Sequence, residues 1–154
     1  MPMGWKAEKP KTDDGYFEQM TRALMQAGLN WTMIEKKWPN FKKAFANFSI
    51  PKVSAFNEDK VKTLMKDASI VRNERKIRSV IANAQESKKI AKEFGSFRDY
   101  FDSFKGDQEG LIADLQKRFQ HLGEASSRVF LYRAGEKLKP TREEQAWHDS
   151  HMKK

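Results

Sequence analysis

The stretch "LMKDASIVRNERKIRSVIANAQ", Leu64 to Gln85, decides how this chain is read. In its second half Ile77, Val80, Ile81 and Ala84 recur at helical spacing. Its first residues close an earlier segment, "EDKVKTLMK", whose Val61, Leu64 and Met65 share one face and whose start carries Asn57, a good capping residue. The pattern lapses between Asp67 and Asn73, so two helices meet at a short hairpin. From Lys60 to Arg78 basic residues outnumber acidic ones. Exposed amides at a helix N-terminus bind anions, and Arg or Lys adds charge. The segment therefore reads either as a phosphate grip or as a basic, solvated helix corner.

Helical spacing continues on both sides. Asp13 or Asp14 can cap a helix carrying Phe17, Met20, Leu24 and Ala27, and Gly28 is placed to stop it. A second, short helix holds Trp31 and Ile34. Pro39 begins a third, with Phe41, Ala44, Phe45 and Phe48. After a break at Ser49-Ile50-Pro51 come the hairpin helices, then "SFRDYFDSF", "GLIADLQKRFQHL" and "EASSRVFLYRA". Nothing alternates with period two for long, and no repeat is visible. The expectation is an all-α chain of about eight helices. Residues 1–12 form an N-terminal arm, 13–135 one helical domain with its hairpin near 67–73, and 136–154 a polar C-terminal tail.

Composition bounds the rest. A chain of 154 residues, 38% hydrophobic with 11 Phe and 4 Trp, can close one core without metals or disulfides. Cys is absent, which excludes disulfides, a thiol nucleophile and thiolate zinc sites and fits a reducing compartment. No apolar run approaches the ~20 residues of a membrane span, and no signal-peptide core follows Met1, so the expected setting is cytoplasmic, without membrane. The net charge of +9 and pI near 9.7 suit a polyanionic partner such as nucleic acid. A merely soluble basic surface is the other reading.

Four segments go further than generic physics. "QAGLNW" at 26–31, the hairpin stretch at 64–85, "FRDYFDSF" at 97–104 and "LQKRFQHLGEASSRVFLYRAG" at 115–135 resemble the 3-methyladenine DNA glycosylase I family of helix-hairpin-helix DNA glycosylases. The match runs in order over roughly residues 4 to 135. "QAGLNW" is similar to the family's "QAGLSW", and "DASIVRN" followed by "KI" is similar to its "D-x-G-I-(I/V)-R-x-x-x-K-I" hairpin. The resemblance implies two helical lobes around a cleft, one lobe gripping the DNA backbone while the cleft receives a damaged base turned out of the duplex. A base must leave the stack before its glycosidic bond can be attacked, and alkylated bases leave more cheaply. Alkylation at purine N3 also leaves a cationic base that is already a good leaving group.

By the same resemblance Trp31 is the pocket Trp that stacks on the flipped base; its other reading is a core Trp at a helix start. Gln26 and Asn30 line the same turn as hydrogen-bonding groups. Tyr16 is a second aromatic candidate, or a core residue. Ser69, Ile70, Val71 and Arg72 would offer backbone amides to phosphate, with Arg72, Asn73 and Lys76 close by. Ser126 and Ser127 stand where the family carries small hydroxyl residues near the cleft, helix capping being their alternative.

Three departures qualify the likeness. The family's base-reading Glu falls at Ala23, which neither hydrogen-bonds nor carries charge; Glu18, Asp13 and Asp14 are the nearest acids in sequence. The family's structural zinc needs two Cys and two His from the termini, whereas this chain has only His121, His148 and His151, so no metal or other cofactor is expected. Trp147 and Trp5 would pin the termini by packing instead. The family's N-terminal "Y-H-D-x-E-W-G" segment is missing, and the hairpin Gly is Ser69, at a cost of ~1 kcal/mol if that position needs positive φ. The expected function is a monomeric DNA glycosylase of base-excision repair, hydrolysing the N-glycosidic bond of alkylated purines such as 3-methyladenine in double-stranded DNA. The alternative is a DNA-binding or lesion-sensing protein of the same fold.

Overall fold

Thr12, rather than either Asp, caps the first helix. Its Oγ1 accepts from the Gly15 amide at 3.1 Å and starts α1 (Asp13–Gln26). The two Asp serve neighbouring helices. Asp14 accepts from the Ile50 amide at 3.0 Å and Asp13 from the Phe97 amide at 2.9 Å. Those amides are orphan donors at the starts of α3 (Ile50–Ser54) and α6 (Phe97–Asp102). The structure, a computed structural model, describes residues 8–141, 145–147 and 149–150. Gly4, Trp5, His148 and His151, and with them most of the expected arm, lie outside the described residues.

The expected second and third helices are one, α2 (Trp31–Ala44), which continues through Pro39. Pro removes an intrahelical bond and crowds the preceding turn. Packing outweighs that cost here, because Ile34, Trp38 and Phe41 are all buried on the face that Pro39 leaves free. A 3-10 turn (Ala46–Phe48) follows with three successive left-handed residues, φ 51°, 55° and 57°. It swings Phe48 onto Trp38, the rings 5.1 Å apart and nearly parallel. The expected break at Ser49 is then the short α3, capped by Ser49 itself.

Helices α4 (Glu58–Met65) and α5 (Glu74–Phe94) form the hairpin, with Asn57 capping the first as expected and Asn73 the second. α7 (Gln108–Arg118) and α8 (Glu124–Arg133) complete an all-α fold, with no strand among the described residues. α1 and α5 form the spine. α5 packs on α1, α3, α4 and α6, while α1 also meets α2 and α8. Helices α2–α4 thus gather on one side and α6–α8 on the other. Each side has its own aromatic cluster: Trp38, Phe41, Phe45 and Phe48 stack in the first, and Tyr16, Phe97, Phe101 and Phe130 pack in the second.

Trp147 remains 62% exposed, so burial of its ring does not pin the chain ends. A backbone approach does that work. Gly135, at φ 80°, lies so close to the N-terminal segment that a Cβ there would sit 2.7 Å from the Lys9 nitrogen. Beside it Arg98 binds Glu136 at 2.6 Å.

Candidate functional site

The corner between α1 and α2 is built from polar groups that sequence alone does not pair. Gly28 turns the chain at φ 73°, and Asn30 caps α2 by accepting from the Met33 amide at 3.1 Å. The last carbonyls of α1 would be orphans. They are met by Lys76 of α5, whose Nζ donates to Met25 O at 3.2 Å and to Ala27 O at 2.8 Å. Lys76 is 5% exposed, and burial pulls its pKa below the ordinary lysine value. Its expected place beside the DNA backbone is therefore corrected. Its ammonium faces inward and joins the hairpin helix to the corner.

Trp31 opens α2 and is half-buried. Gln26, 1% exposed, donates from Nε2 to Glu35 Oε1 at 3.1 Å and accepts from Arg133 at 3.1 Å. Glu35 also takes Arg133 at 2.6 Å and Arg22 at 3.0 Å. Burial pushes the Arg133 guanidinium down to about 10, which still leaves it charged at neutral pH. Ala23 is buried one turn before Gln26 and contributes only a methyl group. None of the acids near it in sequence reaches Gln26. Glu18 accepts from the Trp38 indole at 2.8 Å, and Asp13 and Asp14 cap other helices.

Tyr16 belongs to a different region. It stands ten residues before Gln26 on α1, about 15 Å along the axis. Its ring stacks on Phe97 at 5.5 Å and meets Phe101 edge-on, so of its two readings the structure gives the core one. Burial raises its phenol pKa, offset by neighbouring Arg98.

At the hairpin Ser69 has no positive φ, so the strain expected of a Gly replacement does not arise. Its amide is taken by the Asp67 carboxylate at 2.9 Å, and its carbonyl by Asn40 of α2 at 3.1 Å. The Ser69 hydroxyl, which donates to the same carboxylate, and then the Ser69 amide hold Asp67 below the usual carboxylate range. Ile70 is buried, and its amide points back to Asp67 O at 3.4 Å. Asn73 commits its side chain to the Lys76 amide at 3.1 Å. What stays open is the Val71 and Arg72 backbone: neither amide has a partner among the described residues, and the Arg72 side chain is exposed.

Ser126 and Ser127 lie inside the first turns of α8 and do not cap it; Gly123 holds that position without a side-chain bond. Ser127 is fully buried, and its hydroxyl has no hydrogen-bond partner. Before α8, Asn83 clamps Gln120 through both amide atoms, at 3.0 and 2.7 Å. This fixes His121, at φ 63°, near the hairpin helix. Burial, then the charges of Lys76 and Arg75, lower its pKa. Among the described residues no three His, Cys, Asp or Glu cluster as metal ligands, and no helix is long and apolar enough to cross a membrane. A cavity of about 1100 Å³ between α7, α8 and residues 139–141 contains none of the expected site residues.

Glu35, Arg22 and Arg133 are the polar residues that sequence reasoning missed. One signal was available: a cation within "VFLYRA", an otherwise apolar helix end, calls for a buried partner.

Comparison with known proteins bears on this geometry. The methyladenine glycosylase family profile matches residues 4–129. DNA-3-methyladenine glycosylase 1 of Escherichia coli K12 is 35% identical over 100 residues, 64% of this chain and 54% of that protein. The Haemophilus influenzae DNA-3-methyladenine glycosylase is 27% identical over 97 residues, 62% of this chain and 52% of its own. The chain thus spans about half the length of the curated relatives it matches. Among solved structures, 3-methyladenine DNA glycosylase I from Staphylococcus aureus aligns with a TM-score of 0.76 at 25% identity, covering 84% of this chain and 79% of that one. A solution structure of 3-methyladenine DNA glycosylase I aligns with a TM-score of 0.70 at 29% identity, covering 82% and 79%.

Proposed function

The chain belongs to the methyladenine glycosylase family, and from that premise we propose that it is a DNA glycosylase of base-excision repair. Its substrate is double-stranded DNA carrying alkylated purines such as 3-methyladenine, and it acts as a cytoplasmic monomer without a cofactor. One observation carries this reading: buried Lys76 bonds the Trp31 corner to the hairpin helix, which ties the turn proposed to stack a base to the turn proposed to grip the backbone. The Val71 and Arg72 amides and the Arg72 side chain hold a phosphate at the hairpin. Trp31 stacks on the extruded base, and Gln26 lies beside it. Water adds to C1′ as the C1′–N bond breaks, and the proton it loses on becoming the C1′ hydroxyl passes to solvent. The bonding electron pair leaves with the base and cancels its positive charge, so no strong protein acid is required.

The experiment is release of 3-methyladenine from methylated duplex DNA. Wild type should release the base, and Trp31→Ala should slow release about 10–100-fold, the range of one lost base–aromatic stack. Affinity should fall as salt rises, because phosphate contacts release counterions. Salt-sensitive binding without any base release would leave a lesion-binding protein and end the enzyme reading.

A further inference from the structure

Helix α2 carries four lysines, Lys36, Lys37, Lys42 and Lys43, against one acid, Glu35. Glu35 spends its charge inward, on Arg22 at 3.0 Å and Arg133 at 2.6 Å. Among the described residues none of the four lysines has an ion-pair partner. The α6–α8 side is the reverse. There Arg98 holds Asp102 and Glu136, and Arg118 holds Asp114, Glu86 and Glu93. Those arginines are already neutralised, whereas the cations of α2 are left to solvent.

Burial fixes which way the lysines point. Ile34, Trp38 and Phe41 face the core, so Lys36, Asn40 and Lys43, at i, i+4 and i+7, lie together on the opposite face. Lys36 and Lys43 are both exposed and stand about 10 Å apart along the axis. The helix dipole accounts for Lys42 and Lys43 in the last turn. It does not account for Lys36, which sits mid-helix and gains nothing from either end. Asn40, between Lys36 and Lys43, ties this face to the hairpin: its Nδ2 donates to Ser69 O at 3.1 Å. Ser69 stands three residues before Arg72, at most about 10 Å of chain. The lysine face and the open hairpin amides therefore adjoin.

We propose that Lys36 and Lys43 form a second phosphate-binding ridge, so that a duplex held at the hairpin runs on across the outer face of α2. This rests on the DNA-binding part of the reading above and extends it to a surface outside both turns. A duplex presents one negative charge per ~1.7 Å of its axis, so a ridge of this length meets several phosphates at once. Lysine suits the task, because its ammonium is a point charge on a flexible stem that follows a backbone without reading bases. Lys88 and Lys92 are also exposed, but they lie about 20 Å or more along α5 from its start at the hairpin, off this path.

The test is binding of the full chain to an undamaged duplex, followed by fluorescence anisotropy between about 50 and 200 mM salt. Each lost phosphate contact lowers the slope of log K against log salt by about 0.9. Lys36→Gln/Lys43→Gln should therefore lower it by about two, and should lose about tenfold less affinity than wild type over that range. Lys36→Arg/Lys43→Arg, which keeps both charges, should match wild type. So should Lys88→Gln/Lys92→Gln, which removes as much charge elsewhere. An unchanged slope in Lys36→Gln/Lys43→Gln overturns the proposal, as does an equal drop in the α5 variant, which would mark a net-charge effect. Wild type that binds anionic lipid vesicles but not the duplex overturns it as well. Wild type that binds the duplex yet releases no 3-methyladenine ends the enzyme reading instead, while the slopes still decide the ridge.

Discussion

The α1–α2 corner and the α4–α5 hairpin are both short turns between helices, yet they treat their backbone groups in opposite ways. At the corner the free carbonyls are taken by a buried ammonium from 49 to 51 residues away, and the next helix start is capped by Asn30. At the hairpin, Asp67 and Asn73 satisfy the flanking amides, and the Val71 and Arg72 amides between them stay open. A closed turn adds stability; an open one is available to a ligand. Substitutions at the two turns should therefore fail in different assays.

The largest effect belongs to Lys76→Met. It leaves one buried and one half-buried carbonyl without a donor, a loss of about 2 kcal/mol in chemical denaturation. Arg72→Ala should leave the denaturation midpoint in place, and equal destabilisation by both would erase the contrast. Next comes Gly28→Ala. Nothing lies within 4 Å of a Cβ there, so the cost is purely that of φ 73°, about 1 kcal/mol. Ser69→Gly, its counterpart at the hairpin, relieves no strain, and a gain in thermal stability would contradict the backbone described here.

Smaller effects sharpen the open side. Arg72→Ala should weaken DNA binding without regard to sequence and reduce the slope of log K against log salt by about one. His121 gives the smallest. Its folded pKa lies below 6.5, so the unfolded chain takes the proton first as pH falls. Stability should accordingly decline as pH drops from 6.5 toward the folded value. His121→Asn, which tolerates the left-handed backbone, should flatten that decline in thermal melts.

Much of the helical pattern was legible because each helix repeats its own apolar residues: Ile77, Val80, Ile81 and Ala84 locate α5 without further information. Long-range pairing was not legible. Pro39 reads as a helix start because the packing that carries α2 through it comes from Phe48 and α1. Asp13 reads as a cap for its own helix because Phe97, its true client, is 84 residues away. At the candidate site, the Trp31 corner and the hairpin could be recognised as local motifs. Lys76 reads as one of the cations beside the DNA backbone, and Glu35 draws no reading at all. Their partners lie on α1 and α8, which no local window contains.

The left-handed run at Ala46, Asn47 and Phe48 has a consequence for protein engineering. L-residues adopt that conformation at about 1–2 kcal/mol each, so this short segment holds a recoverable reserve within the native state. Ala46, at φ 51°, is the position from which to draw on it. Glycine there would keep the Phe48–Trp38 stack while removing the steric conflict, which makes it a starting point for a hardier variant that touches neither turn.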